Sequence, residues 1–305
     1  RSHDSSERRR RPVQLGGLHA DGLLMSVRLF VELCAGTAAL SLRLSRGWGR
    51  PPVSRMGGKV GYCGAILARL GLVPGEGADR YLWAEPDPGV GLLLSSYRDP
   101  DLAAGAAEVL RSWSTEDERA LWERLRGEGP FSSDRVEPRE AARWIWLQGR
   151  SMFSKGASSG FAPRESSNGI KKWGAHSCGD FATWVSAIPL LKATIAEDAR
   201  TIDPPIDGSG SVVYIDPPYR GTTGYEHDLG RDEVVALAER WADSGSIVCI
   251  SEAEPLEVLT SRGWFSVEIT GDRVGQGRTF SRQQREWLTM NREPMGQLDL
   301  FGLVS

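Results

Sequence analysis

The sequence predicts an α/β fold: a mostly parallel sheet with helices on both faces, closed by an antiparallel hairpin. Three observations carry this. Short apolar runs of strand length alternate with amphipathic stretches of helical spacing. The chain has 305 residues and is 40% hydrophobic, enough to bury a full core without staples. Near the end, "FSVEIT" and "REWLTM" flank a Gly- and Arg-rich turn, the pattern of a hairpin.

The elements follow in order. Residues 1–24, with "SSERRRRP" and no apolar periodicity, read as a disordered basic arm. "VRLFVEL" (27–33) is a buried-strand run, followed by "ELCAGTAALS", in which a helix starts at Thr37 or Ala38. "GYCGAILARLG" (61–71) has helical spacing, "RYLWAE" (80–85) is a second strand and "SVVYI" (211–215) a third. "EVVALAERWAD" (233–243) is a helix and "SIVCIS" (246–251) a fourth strand. "ATIAEDART" reads as the end of a helix. Residues 99–175 break the alternation with helical, Trp-rich and then Gly/Ser/Lys-rich sequence, so they form an inserted subdomain within a main domain of 25–98 and 176–305.

Cys34, Cys63, Cys178 and Cys249 lack CxxC spacing, and there are only four histidines, so neither a zinc or other metal site nor a disulfide framework is expected. No apolar run approaches bilayer length and the N-terminal residues are charged rather than signal-like; a soluble protein of a reducing cytoplasm, with no membrane partner, is expected. The net charge of -3 hides local basic runs. Between Arg150 and Lys172 stand Arg150, Lys155, Arg164, Lys171 and Lys172 against Glu165 alone, and Arg262 to Arg292 holds six arginines against three acids. Such runs are solvated loops unless something else points to a polyanion.

In open parallel sheets ligands sit at the carboxyl ends of the strands. After the first strand, Gly36 allows close backbone approach; after the second, Glu85 stands where an acid commonly takes a ribose hydroxyl. After the third comes Asp216-Pro217-Pro218-Tyr219. The triplet occurs twice, since Asp203-Pro204-Pro205 lies thirteen residues earlier, but that copy ends in Ile206 and runs into the turn signal "DGSGS". The first copy reads as a connector and the second as a site. Two prolines stiffen the turn and leave carbonyls free to accept. An Asp and a carbonyl together take both hydrogens of an exocyclic amine, localising a lone pair that would otherwise be delocalised into the ring and aligning it with an electrophilic methyl group. Tyr219 supplies a stacking face for a planar base.

These segments together resemble the DNA adenine-N6 methyltransferases of the Dam type, over most of residues 26–292. Asp216 to Tyr219 matches the family's catalytic tetrad. "FVELCAGTAALSL" resembles its methionine-binding loop, which implies cofactor contacts from Phe30, Glu32, Cys34, Ala35 and Gly36. "YLWAEPDPG" resembles the segment whose acid, here Glu85, holds the ribose of S-adenosylmethionine, and "HSCGDF" the segment that places Asp180 and Phe181 by the cofactor adenine. "ARWIWLQGRSMFSKGASSGFAPRESSNGIKKWGA" looks like the DNA-contacting insert and "GQGRTFSRQQREWLTMN" like the closing hairpin.

The resemblance implies a Rossmann-like S-adenosylmethionine-dependent methyltransferase sheet with an inserted DNA-recognition subdomain, acting on double-stranded DNA in a prokaryotic or phage setting. Arg150, Lys155, Lys171, Lys172, Tyr225 and Arg278 would touch the nucleic acid. One segment is displaced. The family's Gly-Gly-Lys precedes the first strand and its lysine contacts the cofactor; here Gly57, Gly58 and Lys59 follow that strand, and Arg55 replaces the tryptophan expected four residues before the lysine. The same tetrad chemistry would serve cytosine N4. RNA or protein-glutamine methylation fits the basic insert less well, and a catalytically inactive DNA-binding relative fits the intact tetrad less well. Cys34 sits in the cofactor loop, which argues against the nucleophile of a cytosine-C5 enzyme.

Overall fold

Seven strands form one sheet in the order β3-β2-β1-β4-β5-β7-β6. They are β1 Leu29–Leu33, β2 Arg80–Ala84, β3 Ala193–Ala196, β4 Ser211–Ile215, β5 Ile247–Glu252, β6 Phe265–Ile269 and β7 Glu286–Met290. The computed structural model describes residues 26–46, 51–55, 57–152, 155–163, 176–219, 229–269 and 286–295. Strands β1 to β5 pair in parallel, while β7 runs antiparallel to both β5 and β6. The central strand β4 is buried at all five positions, which is why "SVVYI" is uniformly apolar instead of alternating.

Side-chain alternation splits the core into two apolar layers. Phe30, Tyr81, Trp83, Val212 and Tyr214 face one side, where they meet α1 Ala39–Arg46, α2 Cys63–Arg69 and α3 Pro88–Ser96. Val31, Leu33, Val213, Ile215, Val248 and Ile250 face the other, against α8 Arg231–Asp243 and α9 Glu257–Thr260. The helices of the inserted stretch, α4 Pro100–Ser112, α5 Glu118–Arg126 and α6 Pro138–Gly149, join the first layer with α7 Cys178–Ser186. Their apolar residues, Leu110, Trp122 and Trp146 among them, belong to the same cluster as Phe30 and Trp83. Helix α6 lies tight against α3: a Cβ on Gly89 would come within 2.2 Å of Trp144.

Apart from "ATIAEDART", every strand and helix expected at a stated span is present within two residues of it, and the closing hairpin pairs as anticipated. Three differences are informative. Helix α1 begins at Ala39, because the loop before it takes left-handed turns. Helices α3 and α4 open on Asp87-Pro88 and Asp99-Pro100, where each Asp caps two backbone N–H groups and Pro occupies the first turn, a start signal legible in the sequence. The stretch "ATIAEDART" is not a helix end. Ala193–Ala196 is the edge strand β3, and Asp198 caps a single 3-10 turn, Ala199–Thr201. Four residues are too few to show a period, and the ladder to β2 decides their conformation. The arm 1–24 and the hairpin turn 270–285 lie outside the described residues. Among the described residues no helix is long and apolar enough to cross a membrane.

Candidate active site

The strand order reverses between β1 and β4, and the carboxyl ends of the parallel strands meet there. Four loops contribute. After β1, Cys34, Gly36 and Ala38 all have positive φ, of 61°, 52° and 48°. Left-handed backbone costs about 1 kcal/mol or more at a residue with a Cβ, so Cys34 and Ala38 mark a loop held in shape by its surroundings. The Gly36 N–H donates to Glu85 Oε2 at 2.7 Å and the Ala35 N–H to the Ala84 carbonyl at 2.9 Å, which ties this loop to the end of β2. A Cβ built on Gly36 would meet nothing within 4 Å, so open space faces that backbone.

Glu85 itself is buried. Its Oε1 accepts from the Asp87 N–H at 3.2 Å and from Arg55 at 3.3 Å. Burial raises its pKa, and the Arg55 guanidinium opposes that rise. Glu32, inside β1, accepts from the Ser41 N–H at 2.8 Å, and burial pushes its carboxyl up to about 7. It fastens α1 to β1. The pKa of the Cys34 thiol is pushed upward by burial and then by Glu85, Asp216 and Asp198, which favours its neutral form.

At the end of β4, Asp216 donates its N–H to the Leu33 carbonyl at 3.1 Å. Its Oδ1 accepts from Lys59 Nζ at 2.6 Å and from Ser251 Oγ at 2.9 Å. The Ser251 hydroxyl in turn accepts from the buried Tyr214 hydroxyl at 2.8 Å, which fixes its direction of donation. No described residue donates to Oδ2 of Asp216 or to the Pro217 carbonyl. Lys59, 6% exposed, also lies 3.8 Å from Glu286 Oε1 and 4.7 Å from the centre of the Tyr219 ring. The Tyr219 hydroxyl donates to Glu286, and burial followed by the neighbouring Asp216 and Glu286 keeps that phenol neutral. Burial raises Glu286 and pushes Glu252, the last residue of β5, up to about 7.

Among the sequence-derived residues, Cys34, Gly36 and Glu85 therefore gather at the β1 and β2 ends and Lys59, Asp216 and Tyr219 at the β4 end, with Glu32 behind them. Phe30 lies in the core. Asp180 and Phe181 do not join this group. Asp180 closes a capping box with Ser177 at the start of α7, and the Phe181 ring is buried against Trp146 and Trp184. Two acids follow the end of β3: Glu197 is exposed, and Asp198 receives the Arg200 N–H and Nε, both at 2.9 Å; the strand before them shows no strand signal in the sequence. Ser251 and Glu286 also escape the sequence reading. Ser251 ends a recognised strand run and is open to the strand-end rule. Glu286 begins an antiparallel strand, so it reaches the same edge from the opposite direction.

Of the expected nucleic-acid contacts, Arg150 is corrected. It is 1% exposed and its guanidinium is held by Glu118, lying 5.3 Å from the Trp146 ring, so its charge is spent inside the helical layer. Lys155 is exposed. Lys171, Lys172, Tyr225 and Arg278 lie outside the described residues.

No protein-family model matches this chain, and no curated protein matches it in sequence.

Proposed function

We propose that this protein transfers a methyl group from S-adenosylmethionine to the N6 amine of adenine in double-stranded DNA. The observation that carries this reading is the state of Asp216. Lys59 and Ser251 both donate to Oδ1, which orients the carboxylate while leaving Oδ2, beside the Pro217 carbonyl in sequence, to accept from an incoming N–H. Two acceptors on a proline-stiffened turn match the two hydrogens of an exocyclic amine. Tyr219, steadied by Glu286, offers its ring to the base.

The residues at the neighbouring strand ends fit the cofactor. Gly36 faces open space on a loop of left-handed turns, Glu85 presents a buried carboxylate for ribose hydroxyls, and Asp198 stands past β3 to accept from the amine of the cofactor's adenine. When bound, S-adenosylmethionine supplies a methyl group on a cationic sulfur. Asp216 would hold the target nitrogen by its hydrogens and so draw its lone pair out of conjugation with the ring, and Oδ2 would take the proton that the nitrogen loses on methylation and pass it to water. This reading gives the Cys34 thiol no step: it lies in the loop after β1, and burial favours its neutral form.

The test is incubation with methyl-labelled S-adenosylmethionine and unmethylated duplex DNA, followed by digestion to nucleosides. Label in N6-methyladenine is the expected result. Label in N4-methylcytosine would move the target to cytosine, and unlabelled DNA would remove the reading.

A further inference from the structure

Arg55 holds the place of the tryptophan that the family resemblance leads one to expect, and its surroundings give it a role of its own. Its guanidinium lies between two carboxylates, with Nη1 3.3 Å from Glu85 Oε1 and Nη2 3.0 Å from Asp87 Oδ2. The loop that carries it is fixed from both sides. Gln148 Nε2 on α6 donates to the Ser54 carbonyl at 2.9 Å, and the Gly58 N–H donates to the Arg55 carbonyl at 3.0 Å. A Cβ on Gly58 would stand 3.0 Å from that same carbonyl, so the turn favours glycine there. One short turn thus sends Arg55 to the carboxylate after β2 and Lys59 to the carboxylate after β4.

We propose that Arg55 is a positioning residue for the cofactor: it keeps the Glu85 carboxylate ionised and turned toward the Gly36 loop, ready to accept two ribose hydroxyls. The inference rests on the methyltransferase reading. Glu85 is faced by Arg55, by Asp87 from its own loop, and by the Gly36 N–H and Cys34 thiol after β1; Asp198, past β3, bears on that thiol. Among the described residues Arg55 is the one cation that opposes the rise at Glu85; burial and the Asp87 charge work against ionisation. Removing it lets Glu85 take a proton nearer neutrality, and a neutral carboxyl accepts hydroxyls less well. The defect is therefore greatest at low pH and fades as pH rises and the carboxyl ionises again.

Calorimetric titration with S-adenosylmethionine from pH 6 to 9 tests this on wild type, Arg55→Gln, Arg55→Lys, Glu85→Gln and the Arg55→Gln/Glu85→Gln double variant. Titration of the ligand's own amine is common to all and cancels in the ratios. Arg55→Gln is expected to bind about 10-fold more weakly than wild type at pH 6 and within about 3-fold at pH 9. Arg55→Lys should stay within about 3-fold throughout, since it keeps the charge. In the Glu85→Gln background, loss of Arg55 should change affinity less than about 2-fold, because the carboxylate it acts on is gone. A ratio that does not vary with pH, or a full Arg55 effect in that background, overturns the inference while leaving the methyltransferase reading intact. Should Arg55→Gln fail to fold, a pH-dependent loss in Arg55→Lys overturns it equally. Wild type that binds no S-adenosylmethionine at any pH sinks the methyltransferase reading and this inference with it.

Discussion

Asp203-Pro204-Pro205 and Asp216-Pro217-Pro218 share three residues and almost nothing else. Asp203 is exposed on the connector that leads to β4, and Ile206 beside it is fully exposed. No described group donates to its carboxylate. Asp216 follows a wholly buried strand, is bonded through its N–H to the end of β1, and receives a lysine and a serine on one oxygen. The triplet is only a stiff turn with an acid at its head. What turns it into a site is the strand that delivers it to the switch point and the cation and hydroxyl that orient the acid.

The comparison breaks most sharply at Asp216 itself. Asp216→Ala removes the oriented acceptor, and loss of one such preorganised group costs about 10²- to 10³-fold in rate, more where the group also positions the substrate. Methyl transfer is expected to fall below detection while S-adenosylmethionine affinity stays within a few-fold. Steady-state rates and calorimetry on the same preparation check it; a variant that still methylates removes Asp216 from the chemistry.

Lys59 sharpens the contrast by explaining how three acids coexist. It lies 2.6 Å from Asp216 and 3.8 Å from Glu286, and Glu252 is close enough to feel it. Lys59→Met would leave these carboxylates uncompensated, a change that costs about 3 to 5 kcal/mol for a buried pair. The effect should depend on pH in a definite sense. Burial already holds Glu286 and Glu252 above their ordinary values, and loss of the ammonium raises them further. Between the unfolded and folded pKa the native state then binds more protons, so stability falls as pH rises. Urea unfolding should show Lys59→Met close to wild type near pH 5 and furthest below it near pH 8. A deficit that is equal at both would mean that the lysine serves packing alone.

Much of this is legible in the sequence for a physical reason. A strand buried on both faces writes itself as a continuous apolar run, so β1, β4 and β5 stand out; the strand-end rule leads to Gly36 after β1 and Asp216 after β4, and to Glu85 after the mixed run of β2. The same rule finds nothing at β3, whose four residues on the sheet edge carry no such run, so Asp198 beyond it is not reached from the sequence. Glu286 is hidden because only the antiparallel direction of β7 brings a strand's first residue to this edge. Charge counting fails at Arg150, since a segment's basicity does not say which cations face solvent.

Arg150 and Lys155 show that limit in two neighbouring residues. Arg150→Met should lower stability by about 3 kcal/mol, the low end for a broken buried pair because Glu118 is partly exposed, and should leave the salt dependence of DNA binding as it is. Lys155→Ala should do the reverse: little change in stability, and, if its ammonium meets a phosphate, a slope of log affinity against log salt shallower by about 0.9. Denaturant unfolding and binding titrations over a salt series read both. A flattened slope in a well-folded Arg150→Met would return that residue to the DNA-facing surface.

The smallest expected effect is the control for the largest. Asp203→Ala removes an exposed carboxylate from a connector, and surface changes of that kind alter stability by no more than about 0.5 kcal/mol. The flanking prolines keep the turn stiff without it. The methylation rate should stay within a few-fold of wild type, and the cofactor affinity should not move. If Asp203→Ala instead abolished transfer while folding normally, then delivery by a buried strand would not be what distinguishes the two triplets. The orienting bonds from Lys59 and Ser251 to Asp216 would then need another purpose.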